Sequence, residues 1–214
     1  MKEGLQLTIE KAKRALSLPR PGIEAQATMA PSPRPGWDPD RPMPVGSREG
    51  SVLILLYPRS GQLHFVLTKR PETVRFHKGQ ISLPGGSREK GETRLQTALR
   101  ETSEELGIAA GAIEVLGKLS PIFIPPSDYT ILPFVGCTPD PPAFTADPVE
   151  VIEVIEVPLS HFMDPSVRKV EYRYHPKLKV DRRIPYFDLL GHFVWGATAM
   201  MLAEFAALLE TTED

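Results

Sequence analysis

Apolar residues along the chain fall into short runs of strand length, separated by polar turns rich in glycine and proline. Residues 51–57 and 63–68 are two such runs, and the Pro-Arg-Ser-Gly sequence between them predicts a turn that pairs two strands. Six further strands are predicted at residues 80–83, 113–119, 131–137, 150–157, 167–174 and 184–189. Residues 93–106 and 193–209 repeat their apolar positions at the helical period, so two main helices are expected among the strands.

The N-terminal region has a different composition. A short helix is predicted at residues 5–18, and residues 19–44 then carry eight prolines with little apolar content, which predicts an extended arm. We therefore divide the chain into an N-terminal helix and proline-rich arm, residues 1–50, and one domain, residues 51–214. The pattern leaves open whether the arm is a disordered tail or docks onto a partner subunit.

Composition narrows the class of protein. A formal net charge of −2 gives no reason to expect nucleic acid or an anionic membrane as a partner. The single Cys137 cannot form an internal disulfide, and its place after an apolar run predicts a small buried side chain. Since no apolar run approaches 18 residues and no signal-like segment is visible, the cytoplasm is the expected compartment.

Acidic residues are concentrated on one side of the predicted helix at residues 93–106. The helical period sets Glu101 and Glu105 one turn apart on one face, with Glu104 beside them. Bare carboxylates this close repel one another, whereas a bound divalent cation reverses the sign of that interaction. Mg²⁺ or Mn²⁺, which prefer oxygen ligands, are therefore the expected cofactors. The simpler interpretation is a solvated acidic helix face.

The ends of this helix are marked in the sequence as well. Gly91, Glu92 and Thr93 place a flexible residue, an acid and a hydroxyl where the helix would begin, and Gly107 follows its last turn as a left-handed terminator. The opposite face is apolar, so the helix would pack on a core while its acids face outward.

The spacing of these residues resembles the complete signature of the Nudix hydrolases. The resemblance implies an α/β fold: a Nudix-type alpha/beta/alpha sandwich with a mixed sheet and a loop-helix-loop catalytic motif. It also implies hydrolysis of a diphosphate linked to some other moiety. One position departs from the signature, because Thr102 stands at a usually aliphatic site. The matching positions are Gly86, Glu92, Arg100, Glu101, Glu104, Glu105, Gly107 and Ile108.

The resemblance also implies roles for individual residues. Glu101 and Glu105 would hold the principal ion, Glu104 would reach a further ion or its water, and the Gly86 carbonyl would be a ligand from the loop side. Arg100 would point away from the metal face and hold an acid, Glu92 in our interpretation, in place.

The general base is left open by the sequence. Members of the family use either an acid within the signature or one on a later loop. Glu104 is our first choice, and Glu150, Glu153 and Glu156 lie in the later candidate region.

Residues upstream of the signature resemble the extra motif of the coenzyme A diphosphatase branch of the family. The spacing matches throughout, whereas identity fails at Val66, Pro71 and Leu83. Stretches at residues 127–135 and 195–199 are also similar to that branch, and the likeness covers most of residues 51–209. The matching upstream positions are Thr68, Arg70, Arg75, Gly79, Pro84, Gly85 and Gly86, with Leu67 preceding them.

Basic residues are concentrated in this upstream motif. Lys69, Arg70, Arg75 and Lys78 are the candidate substrate-binding residues, since coenzyme A carries a diphosphate and a separate 3'-phosphate. Arg70 and Arg75 are the best candidates for phosphate contact. The alternative is a basic loop that only aids solubility, and His77, with no second metal-type histidine nearby, favours that alternative.

Three classes of function follow. The first is cleavage of coenzyme A or its acyl derivatives into a 4'-phosphopantetheine product and adenosine 3',5'-bisphosphate. The second is a Nudix hydrolase of another nucleoside diphosphate derivative, such as ADP-ribose, NADH or a nucleotide. The third is a non-catalytic nucleotide-binding regulator. A homodimer is expected from the resemblance alone.

Overall fold

The structure is a computed structural model that describes residues 2–36, 38, 44–71 and 79–211. These residues form two β-sheets and five α-helices. The elements are α1 (Lys2–Ser17), α2 (Ile23–Thr28), β1 (Arg48–Arg59), β2 (Gln62–Lys69), β3 (Ile81–Ser82), β4 (Gly85–Ser87), α3 (Arg94–Leu106), β5 (Glu114–Lys118), β6 (Ile122–Ile124), β7 (Tyr129–Cys137), β8 (Glu153–Pro158), α4 (Leu159–Met163), β9 (Arg168–His175), β10 (Val180–Leu189), β11 (His192–Trp195) and α5 (Gly196–Glu210).

The larger sheet is mixed and has β1 at its centre. β1 pairs antiparallel with β2 and β4 and parallel with β7. β2 continues the sheet on one side through β3 and β8, and β7 continues it on the other through β5 and β6. The smaller sheet is an antiparallel meander in the order β11-β10-β9. The parallel β1–β7 pair is what makes the large sheet mixed.

Side chains of β1 alternate between two cores. Leu53 and Leu55 lie in one apolar cluster with the buried face of α3, and Ile54 and Leu56 lie in a second cluster with α5. All four are fully buried, because β1 is covered on both faces. This explains why its sequence is a continuous apolar run. The predicted alpha/beta/alpha sandwich around a mixed sheet is thus confirmed.

The predicted elements correspond to observed ones, with shifted ends. Helix α5 starts at Gly196, three residues after the predicted start at residue 193, because residues 192–195 form β11. Cys137 is buried as expected, and so are the α5 residues predicted as core: Met201, Leu202, Phe205, Leu208 and Leu209. Sequence reasoning missed β4, β6, β11, α2 and α4, all of them six residues or shorter.

The proline-rich region contains α2, which packs against α5. Met29 and Ala30, just after α2, are buried in the same cluster as α5. The carboxylate of Glu204 on α5 accepts hydrogen bonds from Gln26 Nε2 (2.9 Å) and from the Ser120 amide (3.1 Å). This part of the region is therefore a helix held on the domain. The division of the chain at residue 50 stays a prediction.

Helices in the described residues are too short or too polar to cross a bilayer.

Candidate active site

Helix α3 begins and ends where the sequence predicts. Thr93 is its N-cap: the side chain accepts from the Gln96 amide (3.2 Å), and the Gln96 side chain accepts from the Thr93 amide (2.8 Å). This reciprocal capping box satisfies two amides that the first turn leaves unpaired. Gly107 ends the helix in the left-handed conformation, with φ +72°.

Strand β4 brings two glycines against the acidic face of α3. A Cβ on Gly85, where φ is +148°, would lie 2.3 Å from the Ser51 carbonyl oxygen, and a Cβ on Gly86 would lie 2.4 Å from the Glu101 carboxylate. Only glycine fits this approach of backbone to backbone and to carboxylate. The approach lets the Gly85 amide donate to Glu105 Oε2 at 3.1 Å.

Glu105 is buried, with 2% of its surface exposed. Burial is the main cause that raises its pKa to about 8; Glu101 and Glu150 add to the rise, and the Gly85 amide and Arg70 oppose it. Burial likewise raises the pKa of Glu101, although Arg100 opposes the rise. Burial therefore disfavours the charged form of both carboxyls, and nearby cations offset this only in part.

Glu150 completes a cluster with Glu101 and Glu105: one carboxylate oxygen from each lies within 4.8 Å of the others. In the described part of the chain this is the group of acids with metal-ligand spacing. Three carboxylates supply hard oxygen ligands and three negative charges, which fit a divalent cation such as Mg²⁺ or Mn²⁺. The donor set matches the predicted cofactor class.

A loop carries Glu150 to the helix. The Thr145 amide donates to the Leu106 carbonyl (2.9 Å) and the Asp147 amide to the Glu105 carbonyl (3.1 Å), so the loop satisfies carbonyls at the open end of α3. The Asp147 carbonyl then accepts from the Glu150 amide (3.0 Å), which closes a turn. These bonds fix the loop beside the acidic face.

Glu104 lies outside the cluster of three. Its side chain is 58% exposed, and its Oε2 accepts from Arg100 Nη1 at 2.7 Å. The third acid beside Glu101 and Glu105 is Glu150, which the sequence offers only as a candidate base. Glu104 as the ligand of a further ion or its water stays a prediction.

Arg100 connects the acids at the mouth of the site. Its Nε donates to Glu92 Oε1 (2.7 Å), as predicted, and the pair lowers the pKa of Glu92 to about 2. Its Nη2 lies 3.0 Å from Glu101 Oε1 and donates to the Ser87 carbonyl (3.1 Å). Arg100 therefore also contacts the metal face, which its helical position did not predict. It positions Glu92, Glu101 and Glu104 together.

Two of the four predicted substrate-binding cations, Lys69 and Arg70, lie in the described part of the chain. Arg70 Nη1 is 3.7 Å from Glu105 Oε1, which sets one guanidinium beside the acidic cluster. Lys69 Nζ is 3.3 Å from Glu153 Oε2. Arg75 and Lys78, with His77, lie outside the described residues.

The three later acids that are candidate general bases have different surroundings. Glu150 is in the cluster. Glu153 pairs with Lys69 and with His192 (3.4 Å). Glu156 is engaged by Arg59 and by the Tyr57 hydroxyl, 3.1 Å away, so it is held apart from the acidic cluster.

Comparisons with known proteins agree with this geometry. A model of the NUDIX domain matches residues 47–178. The uncharacterized Nudix hydrolase NudL of Photorhabdus laumondii subsp. laumondii is 33% identical over 142 residues, covering 66% of this chain and 74% of the relative. NudL of Yersinia pestis (strain Pestoides F) is 33% identical over 165 residues, covering 75% and 79%. The crystal structure of a MutT/nudix family protein from Enterococcus faecalis is similar in fold, with a TM-score of 0.51 and 19% identity over 78% of this chain and 63% of that one.

Proposed function

The chain belongs to the Nudix hydrolases, which act on pyrophosphate bonds, and on that premise we propose that its substrate is coenzyme A or an acyl-coenzyme A. In the reaction, the oxygen of water bonds to one phosphorus of the diphosphate while the bond from that phosphorus to the bridging oxygen breaks. The products are 4'-phosphopantetheine, or its acyl derivative, and adenosine 3',5'-bisphosphate.

The upstream motif carries this proposal. Its spacing from residue 66 to residue 86 resembles the coenzyme A diphosphatase branch, and its Arg70 lies 3.7 Å from the buried Glu105. A guanidinium beside the acidic cluster can contact a phosphate oxygen of a substrate that approaches the same acids. Coenzyme A, with a diphosphate and a 3'-phosphate, needs more than one such contact, which makes Arg75 a second candidate.

Glu101, Glu105 and Glu150 are the residues that would hold a divalent cation. A bound Mg²⁺ or Mn²⁺ would neutralise charge on the diphosphate oxygens and lower the pKa of a coordinated water. Arg100 keeps Glu101 in place through the 3.0 Å contact, and Arg70 orients the substrate. Gly86 has no side chain and so allows the Glu101 carboxylate to approach the backbone closely. That the Gly86 carbonyl is a cation ligand stays a prediction.

Glu104 is our proposed general base, with Glu150 as the alternative. Glu104 is exposed and held by Arg100, so it can accept a proton from water at the mouth of the site. Glu104→Gln and Glu150→Gln distinguish the two: a base variant loses kcat while its cation affinity stays near that of the unmodified protein. A variant of a cation ligand loses affinity first.

The test is a comparison of substrates. The purified full-length chain is incubated with Mg²⁺ and, separately, with Mn²⁺, in the presence of equal amounts of coenzyme A, dephospho-coenzyme A, ADP-ribose and NADH, and products are separated by chromatography. We expect adenosine 3',5'-bisphosphate and 4'-phosphopantetheine from coenzyme A, and a slower reaction with dephospho-coenzyme A. The Glu105→Gln protein, purified in parallel, is the control for contaminating hydrolases.

Other outcomes decide between the alternatives. Faster cleavage of ADP-ribose or NADH than of coenzyme A would refute the proposed substrate and leave a Nudix hydrolase of another nucleoside diphosphate derivative. If no substrate is cleaved, a calorimetric titration that shows tight nucleotide binding would identify a regulator.

A further inference from the structure

Strand β9 is an edge of the smaller sheet with exposed aromatic side chains. β10 pairs with it on one side, and no strand in the described part of the chain pairs with its other side. Tyr172 and Tyr174 are 68% and 62% exposed, and Val170, on the same face of the strand, is exposed as well. Exposed, regular edge strands that carry apolar side chains are the usual templates for pairing with another chain.

The backbone amides and carbonyls of β9 point alternately toward β10 and toward the open edge. On β10, the amide and carbonyl of Arg183 both bond to Ser32, at 2.8 and 2.9 Å, on the side away from β9. Since these groups alternate sides along a strand, the neighbours of Arg183 face β9, and they pair with Glu171 and Arg173. The outward amides and carbonyls of β9 therefore belong to Val170, Tyr172 and Tyr174.

We propose that two copies of the chain associate through β9, antiparallel about a two-fold axis at Tyr172, so that two three-stranded sheets form one six-stranded sheet. In this register the outward groups of Tyr172 bond to those of Tyr172 in the second copy. Those of Val170 bond to Tyr174 of the second copy, and the converse holds by symmetry. Residues 169–175 of each strand are paired, and each outward amide in the centre of the edge obtains an acceptor.

The charges of β9 are complementary in this register. On the other face of β9, Arg173 binds Glu171 of its own strand through two contacts, Nε to Oε1 at 2.9 Å and Nη2 to Oε2 at 2.8 Å. With the axis at Tyr172, Glu171 of each copy stands opposite Arg173 of the other, so four charges of alternating sign meet. The outward groups also allow axes at Val170 and Tyr174, but both lie nearer an end of β9, so the axis at Tyr172 pairs the longest stretch of the strand.

The two faces of the paired strands have different characters. The face with Val170, Tyr172 and Tyr174 joins apolar side chains across the axis, where aromatic and β-branched pairs stabilise antiparallel strands. The face with Glu171 and Arg173 is charged, and there Arg173 also lies over the Phe193 ring, with its Cζ 4.6 Å from the ring centroid. The apolar face provides buried area, and the charged face adds complementary pairs.

The test uses charge reversal and analytical ultracentrifugation of the full-length chain. The unmodified protein is expected to sediment as a dimer at micromolar concentration. Glu171→Arg and Arg173→Glu each turn two opposite-charge pairs into like-charge pairs, and each is expected to raise the dimer Kd at least about tenfold. Lys177→Glu, an exposed reversal just outside the paired residues, is the matched control and should leave the Kd unchanged.

Mixing the two reversed variants gives the sharpest result. The Glu171→Arg chain has arginine at both 171 and 173, and the Arg173→Glu chain has glutamate at both. In the mixed pair every arginine therefore stands opposite a glutamate. We expect a heterodimer from an equimolar mixture of two proteins that are each weakened alone, which also shows that both variants are folded. A monomeric unmodified protein, dimers that ignore both reversals, or a mixture that stays monomeric would overturn the proposal.

Discussion

Replacing Glu105 by glutamine separates the binding of a cation from the packing of the side chain. Glutamine has nearly the same shape and keeps an oxygen that can accept from the Gly85 amide, 3.1 Å away in the native structure. It cannot carry the negative charge. The substitution should therefore leave the fold intact and remove one ligand charge from the cluster with Glu101 and Glu150.

The effect on the metal-free protein follows from the pKa of Glu105. Burial raises this pKa from the ordinary 4.5 to about 8. Between these values the native protein keeps a proton that the unfolded chain releases, so the native state loses stability as pH rises and regains it as pH falls. At neutral pH the accumulated cost is about 3 kcal/mol, at ~1.4 kcal/mol for each unit of pH above the unfolded value.

Glutamine does not ionise and so escapes this cost. Without metal, Glu105→Gln should be about 3 kcal/mol more stable than the unmodified protein near neutral pH, and the difference should vanish toward pH 4.5. With Mg²⁺ or Mn²⁺ the difference should largely close: a cation at one hundred times its Kd stabilises a protein that binds it by about 2.7 kcal/mol, and the variant should lose most of that gain.

The assay is urea unfolding at several pH values, with EDTA and with Mg²⁺, followed by turnover on a cleaved substrate. We expect kcat to fall about a thousandfold, or ~4 kcal/mol, as for removal of one electrostatic element of an active site. Glu104→Gln, an exposed carboxylate in the next position, is the control and should change metal-free stability by less than about 1 kcal/mol. Metal-free Glu105→Gln that is less stable than the unmodified protein, or that turns over normally, would refute the reasoning.

Three further positions test contacts that support the site or hold α2 on the domain. Gly85→Ala places a Cβ 2.3 Å from a backbone oxygen and should cost roughly 3 kcal/mol or more in thermal unfolding. Gly111→Ala, which meets nothing within 4 Å, should change stability by less than about 1 kcal/mol. Arg100→Lys cannot reproduce the planar guanidinium contacts and should lower kcat by about a hundredfold, with little change in melting temperature. Glu204→Ala leaves the Ser120 amide without its acceptor and should cost about 3 kcal/mol in urea unfolding; Glu204→Gln, which keeps an acceptor, should cost less than half of that.

Helix α3 could be predicted from the sequence because its determinants are local. Thr93 and Gln96 form the capping box within four residues, and Gly107 ends the helix where the apolar period stops. The Arg100–Glu92 pair was predicted from the resemblance and is present at 2.7 Å. Short strands such as β4 were missed because three residues show no period, and their strand character comes from pairing with β1.

Glu150 could be predicted only as one of several acids, because its position depends on contacts distant in sequence. Nothing near Glu150 in the chain distinguishes it from Glu153 or Glu156. The distinction comes from the loop before it, whose amides at Thr145 and Asp147 bond to the last carbonyls of α3.

Gly107 links the predicted helix to this unpredicted loop. Its left-handed conformation ends α3, which the sequence indicates, and a Cβ at this position would lie 2.8 Å from Thr145 Cβ and 2.9 Å from the Thr145 carbonyl oxygen. The glycine is therefore required twice, once to turn the chain and once to admit the loop that carries Glu150. A side chain at residue 107 would push that loop away from the end of α3, and the cluster would lose its third carboxylate while Glu101 and Glu105 stayed on their helix.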